Sequence, residues 1–226
     1  MDTINESIRE TLDFVDYSRQ SELDSILPLR DSNNIIIGCG GVGFWTGLML
    51  AMLGFSKITL IDADKLEATN IARIPVPTTW IGVNKAVALR KVIHSIRPLA
   101  QVRVLNMFIN EDTLDIFNDL LTESHGIVWD ATDDATAQET IYARVKDVGL
   151  SYRKIGYEGW EVANYPSYDK MWSTGDVQRG YRTAKANALS SIFASCLGIL
   201  SLSTASPAIK LDMLKLAKGE KDDQKV

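Results

Sequence analysis

The stretch NNIIIGCGGVGFW, residues 33 to 45, constrains the fold of this chain more than any other. Its β-branched apolar run predicts a short buried strand, and the apolar residues after the glycines predict a buried helix. Between the two stand Gly38, Gly40, Gly41 and Gly43. A glycine turn between a strand and a helix lets the main chain and the helix N-terminus approach a phosphate. We therefore predict a nucleotide site at this turn.

Strand and helix patterns alternate along the rest of the chain. Buried strands are predicted at KITLIDAD, QVRVLNMFI and HGIVWDATD, with helical periodicity between them. Two further strands, SYRKIGYEG and WEVANY, surround a glycine turn. The pattern predicts an α/β fold: a Rossmann-like, doubly wound, mostly parallel sheet with helices on both faces and a small antiparallel extension towards the C-terminal half. In such sheets ligands bind at the carboxyl ends of the strands.

Charge and cysteine content narrow the function classes. The net charge is -5 and no stripe of Lys and Arg offsets it, so nucleic acid is not expected as a ligand. Cys39 and Cys196 stand far apart, which excludes a disulfide framework and a structural zinc site of the usual spacing and is typical of the cytoplasm. Residues 188–205 carry no charge but are rich in Ser, so we interpret them as a buried or subunit-interface helix in preference to a membrane anchor.

Acidic and basic side chains follow the second predicted strand. Asp62 ends that strand, where it can hold the ribose of either NAD or ATP. Asp64, Asn70 and Arg73 come soon after it, and Lys85 follows. Arg73 or Lys85 alone is better explained as a solvated surface charge. Together these groups favour a triphosphate, because its negative charge must be neutralised as pyrophosphate departs.

The motifs, in this order, resemble those of the ubiquitin-activating superfamily in its compact ThiF, MoeB and HesA form. The matching elements are YSRQ at 17–20, GCGGVG at 38–43, DAD at 62–64, NIAR at 70–73, GVNKA at 82–86 and DATD at 130–133. The resemblance implies adenylation of the C-terminal carboxylate of a ubiquitin-like protein or peptide, with Mg²⁺ and ATP as cofactors and pyrophosphate released. It also implies a homodimer, or a heterodimer with a related subunit.

The resemblance implies a role for each matching residue. The nucleotide would be held by the glycine turn and by the polar residues that follow it: Gly38, Gly40, Gly41, Gly43, Asp62, Asp64, Asn70, Arg73 and Lys85. The catalytic group would be Arg73, Lys85 and Asp130, with Asp130 holding Mg²⁺ through ATP. From its position alone, Asp130 is equally well explained as a helix N-cap. No general base is required, because a carboxylate is already ionised near neutral pH.

The implied organisation is one nucleotide-binding domain over residues 1–217 with a flexible tail over 218–226. Its parts are an N-terminal helical segment with a helix at 3–15, an ATP-binding core, a substrate-recognition segment and C-terminal helices, over 1–30, 31–150, 151–187 and 188–217. The recognition segment is rich in Tyr, Trp and Arg, and we expect Tyr157 and Trp160 to receive the activated tail. An ordinary sheet face with cross-strand aromatics would have the same composition.

Three departures from the family pattern leave alternatives open. The chain has no C-x-x-C pair, Asp16 stands where an arginine usually reaches the partner's ATP, and residues 166–187 lack the cysteine of thioester-forming members. Because Cys196 lies in an apolar segment, we expect a core residue there and a reaction that stops at the acyl-adenylate. One alternative is a non-catalytic scaffold or partner subunit of a heterodimer. A less favoured one is an NAD-dependent oxidoreductase.

Overall fold

The computed structural model describes residues 15–17, 19, 20, 26, 29–167, 186–203 and 208–220. In this part of the chain one seven-stranded sheet has the order β3-β2-β1-β4-β5-β6-β7. The strands are β1 (Asn33–Ile37), β2 (Lys57–Ile61), β3 (Gln101–Leu105), β4 (Ile127–Asp130), β5 (Ser151–Glu158), β6 (Glu161–Tyr165) and β7 (Ile209–Asp212). The helices are α1 (Gly41–Met52), α2 (Lys85–Ile96), α3 (Leu114–Thr122), α4 (Ala135–Asp147), α5 (Ala188–Leu200) and α6 (Met213–Ala217).

Strands β1 to β5 run parallel, while β6 and β7 are antiparallel additions at one edge. This arrangement confirms the predicted Rossmann-like sheet with its antiparallel extension. β1 lies between β2 and β4, so the strand order reverses beside β1. At such a point the connections after adjacent strands run to opposite sides of the sheet, and a crevice opens at the carboxyl ends of the strands. Ile37 is in register with Ile61 and with Asp130, which brings the three predicted polar turns to one level of that edge.

Helices cover both faces of the sheet, as predicted. Alternate residues of each central strand point to opposite faces, so Ile36 and Trp129 pack beneath α1, α2 and α5. Ile35 and Val128 pack on the other face beneath α3 and α4. The Trp129 indole also donates a hydrogen bond to Asn34 Oδ1 at 2.9 Å, which pairs a buried polar group in the middle of the sheet.

The C-terminal part of the chain contains a strand that the sequence did not predict. The sequence interpretation placed only helices in residues 188–217, but Ile209–Asp212 forms β7 along β6. Four residues are too few to show a strand period, and pairing with an available sheet edge decides their conformation. The helix expected at 3–15 lies, apart from Val15, outside the described residues.

The apolar segment at 188–205 forms helix α5 over 13 residues, shorter than the segment itself. Its buried face packs against α1, β5 and β6, whereas Leu189 and Leu200 are exposed. No helix in the described ranges is long and apolar enough to cross a membrane.

Candidate functional site

The glycine turn joins β1 to α1 and has a backbone that only glycine can supply. Gly38 has a φ of 83°, and a Cβ there would lie 2.8 Å from the carbonyl oxygen of Ala131. A Cβ at Gly43 would overlap the carbonyl oxygen of Gly38. A Cβ at Gly40, by contrast, would meet nothing within 4 Å. The turn is therefore closed on one side by β4 and open on the other.

The open side of the turn has the properties of an anion site. Helix α1 begins at Gly41, no side chain caps it, and its first turn carries no acidic residue. The first N–H groups of a helix need partners from outside it, and the helix dipole favours negative charge at that end. The geometry therefore fits a nucleotide phosphate.

Asp62 joins the ends of β1 and β2 beneath the turn. Its Oδ2 accepts a hydrogen bond from the Cys39 N–H at 2.6 Å, and its Oδ1 accepts one from the Asp64 N–H at 2.7 Å. Burial raises the pKa of Asp62, against the opposing effect of these two N–H groups and of Lys85. Each oxygen keeps a further lone pair, so the carboxylate fits its predicted role towards ribose hydroxyls.

Arg73, predicted to bind phosphate, lies across the N-terminus of α1. Its Cδ is 3.2 Å from the position of a Cβ on Gly41, and its Nη1 donates to the carbonyl of Thr69 at 2.8 Å. Trp45 holds this segment in place, because its indole Nε1 donates to the Arg73 carbonyl at 2.9 Å. Sequence reasoning missed Trp45, since only the tertiary contact distinguishes it from a core aromatic.

Asn70 stabilises the turn that precedes Arg73. It is buried, and its Oδ1 accepts a hydrogen bond from the Glu67 N–H at 2.9 Å. Its carbonyl accepts from the Arg73 N–H at 2.9 Å. Asn70 thus shapes the turn that presents Arg73, and only its Nδ2 amide is left as a group that could donate to a phosphate.

Lys85 begins α2 and forms an ion pair with Asp64, with Nζ and Oδ2 2.8 Å apart. Asn84, which the sequence reasoning missed, connects this pair to the rest of the site. Its Nδ2 donates to the carbonyls of Asp62 and Asp64, at 2.8 and 3.1 Å, and its Oδ1 caps α2 at Val87. The Lys85 side chain is 14 % exposed and that of Asp64 is 54 % exposed, so the pair is open to solvent on its Asp64 side.

Asp130 ends β4 and does not fit its predicted Mg²⁺ role. It is fully buried; Oδ1 accepts from the N–H and hydroxyl of Thr132, at 3.0 and 2.6 Å, and Oδ2 accepts from the Tyr152 hydroxyl at 2.6 Å. The Lys154 ammonium lies 3.6 Å from Oδ1. Because the carboxylate is fully buried and both oxygens already accept hydrogen bonds, a metal ion would have no open approach to it. Asp133, on the same loop, is exposed.

The metal-ligand types do not gather elsewhere in the described ranges, where no three His, Cys, Asp or Glu side chains come together as a metal site. Neither described cysteine has the setting of a reactive thiolate. Cys39 is fully buried, and burial, with the Asp62 charge, raises its thiol pKa well above the usual value. Burial also raises the pKa of Cys196, whose Sγ is 3.7 Å from Met49 Sδ. Thiolate chemistry requires the opposite shift.

The predicted recognition strands reach the nucleotide turn through Tyr157. The Ser191 hydroxyl donates to the Tyr157 hydroxyl at 3.1 Å, and a Cβ on Gly41 would lie 2.5 Å from Ser191 Oγ. Trp160 stands at the turn between β5 and β6 and is 42 % exposed. Residues 168–185 of the predicted recognition segment lie outside the described part of the chain.

Comparison with curated proteins gives relatives named as a tRNA dehydratase, as adenylyltransferases and as ubiquitin-like modifier-activating enzymes. The chain is 31 % identical over 140 residues to the tRNA threonylcarbamoyladenosine dehydratase of Haemophilus influenzae, covering 62 % of this chain and 52 % of that protein. It is 27 % identical over 200 residues to the adenylyltransferase and sulfurtransferase UBA4 of Scheffersomyces stipitis, covering 84 % of this chain and 43 % of the relative. The chain spans about half the length of the curated relatives it matches.

Solved structures share the fold at low sequence identity. Escherichia coli MccB with AMPCPP and MccA has a TM-score of 0.68 at 18 % identity, covering 87 % of this chain and 71 % of that one. The E. coli tRNA N6-threonylcarbamoyladenosine dehydratase TcdA, in complex with AMP, has a TM-score of 0.69 at 18 % identity, covering 90 % and 96 %. The model of the ThiF family matches residues 17–218. The chain therefore belongs to the ThiF family.

Proposed function

We propose that the chain binds ATP at the carboxyl edge of its sheet and adenylates the C-terminal carboxylate of a peptide or ubiquitin-like protein. One observation carries the proposal: the open side of the glycine turn at Gly40 faces an uncapped helix N-terminus that Arg73 crosses. Lys85 stands at the N-terminus of α2, in an ion pair with Asp64 that is open to solvent on its Asp64 side. Two cations and a helix N-terminus suit a triphosphate.

The proposed reaction is a substitution at phosphorus. A carboxylate oxygen of the tail attacks the α-phosphorus of ATP, the bond from that phosphorus to the β-phosphate oxygen breaks, and pyrophosphate leaves. Asp62 would hold the ribose hydroxyls, and Arg73 and Lys85 would stabilise the charge that moves to the departing pyrophosphate. Because the nucleophile is already ionised, placing it against the phosphorus is the main task of the protein.

Mg²⁺ would accompany the ATP phosphates, and the chain offers it Asp133 in preference to Asp130. Mg²⁺ commonly takes one or two carboxylates and fills its other positions with phosphate oxygens and water. Asp133 is exposed on the loop after β4, one residue beyond Thr132, whose N–H lies beside Gly38. Bound there, the ion would add positive charge at the phosphates.

Relatives support the nucleotide class more than the acyl substrate. E. coli MccB has been solved with ATP, and TcdA with AMP. One relative is named for a tRNA substrate, yet the net charge of -5 makes this chain a poor match to a polyanion. A peptide or protein tail, received beside Tyr157, is therefore the substrate class we propose.

We propose a dimer, either of this chain or with a related subunit, as the working form in the cytoplasm. Several large apolar side chains of α5 and α6 are exposed, among them Leu189, Leu200 and Leu216. We take these exposed apolar side chains as the contact surface of the proposed dimer. Light scattering of the purified chain would test the proposal, and a strictly monomeric mass with no partner recovered would contradict it.

Two alternatives stay open. A non-catalytic scaffold is favoured by Asp16 at the usual arginine position and by the lack of a loop cysteine. It predicts nucleotide binding without turnover. An NAD-dependent oxidoreductase predicts binding of NAD in preference to ATP, and it gives Arg73 and Lys85 no role.

The test is ATP–pyrophosphate exchange with the purified chain, Mg²⁺ and a panel of peptides with free C-termini. We expect peptide-dependent exchange that Arg73→Ala lowers at least about 100-fold, in line with the loss of a charge-stabilising group. Arg103→Ala is the matched control, because Arg103 lies on β3 and pairs only loosely, at 3.7 Å, with exposed Glu123. Retained ATP binding without exchange would favour the scaffold, and binding of NAD alone would favour the oxidoreductase.

A further inference from the structure

A buried lysine lies next to the nucleotide turn, and the proposed reaction does not use it. Lys154, on β5, has a side chain that is 3 % exposed. Its ammonium donates to the Thr132 carbonyl at 2.6 Å, is 3.4 Å from the Asp130 carbonyl and forms an ion pair with Asp130 Oδ1 at 3.6 Å. Burying an ammonium group costs its hydration, so a buried lysine needs partners that compensate its charge, and these groups supply them.

The segment that Lys154 holds is the wall of the glycine turn. The Thr132 carbonyl also accepts from Gln138 Nε2 at 2.8 Å, so two buried donors fix it. One residue earlier, the Ala131 N–H donates to the Ile37 carbonyl at 2.8 Å. The Ala131 carbonyl lies against Gly38, and its Cβ lies 3.2 Å from a Cβ position on Gly43. A shift at Thr132 would therefore move the surface on which the turn rests.

The Asp130 carboxylate completes this cluster. Thr132 supplies two donors to one of its oxygens and Tyr152 supplies one to the other, while the Tyr152 ring packs against Tyr142 at 5.1 Å between centroids. The lysine ammonium is the cation beside it. The carboxylate is thus compensated from within the chain and, because it is fully buried, presents no exposed oxygen to a metal ion.

We propose that Lys154 is a positioning residue of the nucleotide site. Its ammonium takes the place beside Asp130 that a metal ion was expected to occupy, and it fixes the Ala131–Thr132 wall that sets the glycine turn. Metal dependence of nucleotide binding then does not pass through Asp130. The inference deepens the proposed function and rests on ATP binding at this turn.

Four variants separate positioning from charge compensation: Lys154→Met, Asp130→Asn, the double variant, and Lys146→Met as a control on the exposed side of α4. Each is measured for melting temperature and for ATP affinity, with Mg²⁺ and with EDTA, at a temperature where it is folded. Either single change leaves a buried charge unpaired, so we expect melting temperatures lower by about 10 °C. The double variant should regain most of that loss, because no buried charge remains.

ATP affinity should behave differently from stability. Lys154→Met and the double variant should both bind ATP at least about 10-fold more weakly, since neither holds the Thr132 carbonyl. Asp130→Asn should keep the ratio of affinities with and without Mg²⁺ within a factor of about three of the unmodified chain. Lys146→Met should change nothing.

Three results would overturn the inference. They are a double variant that binds ATP like the unmodified chain, loss of the Mg²⁺ effect in Asp130→Asn, and melting losses of the single variants that simply add in the double variant. Failure of the nucleotide site looks different, because the unmodified chain would then bind no ATP at all. In that case the melting temperatures alone would test whether Lys154 and Asp130 compensate each other's charge. The positioning role of Lys154 would be overturned together with the nucleotide site. Failure of adenylation alone would leave ATP binding, and so these comparisons, intact.

Discussion

The indole Nε1 of Trp45 donates a hydrogen bond to the main-chain carbonyl of Arg73 at 2.9 Å, across the N-terminus of α1. Trp45→Phe keeps the ring and removes the donor. We expect a stability loss of about 1 kcal/mol and an ATP affinity lowered about 5- to 10-fold, because the Arg73 segment loses its tether. Calorimetric titration with ATP measures the second effect. Trp80→Phe, on the short helical turn Thr78–Trp80, is the control, and equal losses in the two variants would contradict the tethering role.

The glycines of the turn should separate folding from binding. Gly43→Ala makes a methyl group overlap the carbonyl oxygen of Gly38. We therefore expect the melting temperature of this variant to be lower by at least about 10 °C. Gly40→Ala meets no protein atom within 4 Å, so its stability should be unchanged.

The same Gly40→Ala methyl group stands where a phosphate would approach the main chain. We expect ATP affinity to fall at least about 10-fold in a fully folded protein. Melting curves and nucleotide titrations of the two variants measure the contrast. Undiminished ATP binding by Gly40→Ala would place the phosphate elsewhere.

Asp62 makes stability depend on pH with a definite sign. Burial raises its pKa in the folded chain, so the folded state keeps this proton to higher pH than the unfolded state. The ionised carboxylate therefore lowers stability above the folded pKa, and this cost disappears as the pH falls below the unfolded value of about 3.9. Asp62→Asn has no such ionisation.

We therefore expect the unfolding free energy of Asp62→Asn, relative to the unmodified chain, to increase as the pH rises from about 4 to about 7. Asn also lacks one of the two hydrogen-bond acceptors of Asp62. That loss lowers the unfolding free energy by an amount that does not depend on pH, so it does not change the slope. Denaturant unfolding at several pH values measures it, and a flat or falling difference would show that Asp62 is not desolvated as described. The variant should also lose ATP affinity.

Tyr157 and Trp160 should differ in what they affect. Trp160 is exposed on the β5–β6 turn, so Trp160→Ala should raise the KM for the peptide about 10-fold and leave ATP affinity unchanged. The Tyr157 hydroxyl is hydrogen-bonded to Ser191, which lies next to Gly41. Tyr157→Phe should therefore weaken the binding of both ATP and the peptide modestly. Exchange assays with varied peptide and varied ATP separate the two constants. An unchanged peptide KM in Trp160→Ala would make this turn structural only.

Local patterns were enough to predict the central sheet. The β-branched runs before Gly38 and Asp62 are bounded by glycines and carboxylates, and alternating helices leave a parallel sheet as the simple solution. β7 was not predicted, because Ile209–Asp212 is too short to show the alternating pattern of a strand. Its pairing with β6 depends on residues that are distant in the sequence.

The candidate site was less visible in the sequence. Arg73, Lys85 and the glycines carry motif spacing, and the structure brings them to one edge. Trp45 and Asn84 act through single tertiary hydrogen bonds that leave no periodic signal. Asp130 was expected to hold Mg²⁺ because it matches the family motif at a strand end. Tyr152 and Lys154 enclose it from β5, and that enclosure depends on strand pairing.

The most direct test of the account is to trap the activated carboxyl group. The chain is incubated with Mg²⁺, ATP and peptides with free C-termini, and hydroxylamine is added to convert any acyl-adenylate to a hydroxamate. We predict an ATP-dependent peptidyl hydroxamate, abolished in Arg73→Ala and retained in Arg103→Ala. Bound ATP with no hydroxamate from any peptide or ubiquitin-like tail would contradict adenylation and favour a scaffold that keeps the nucleotide site.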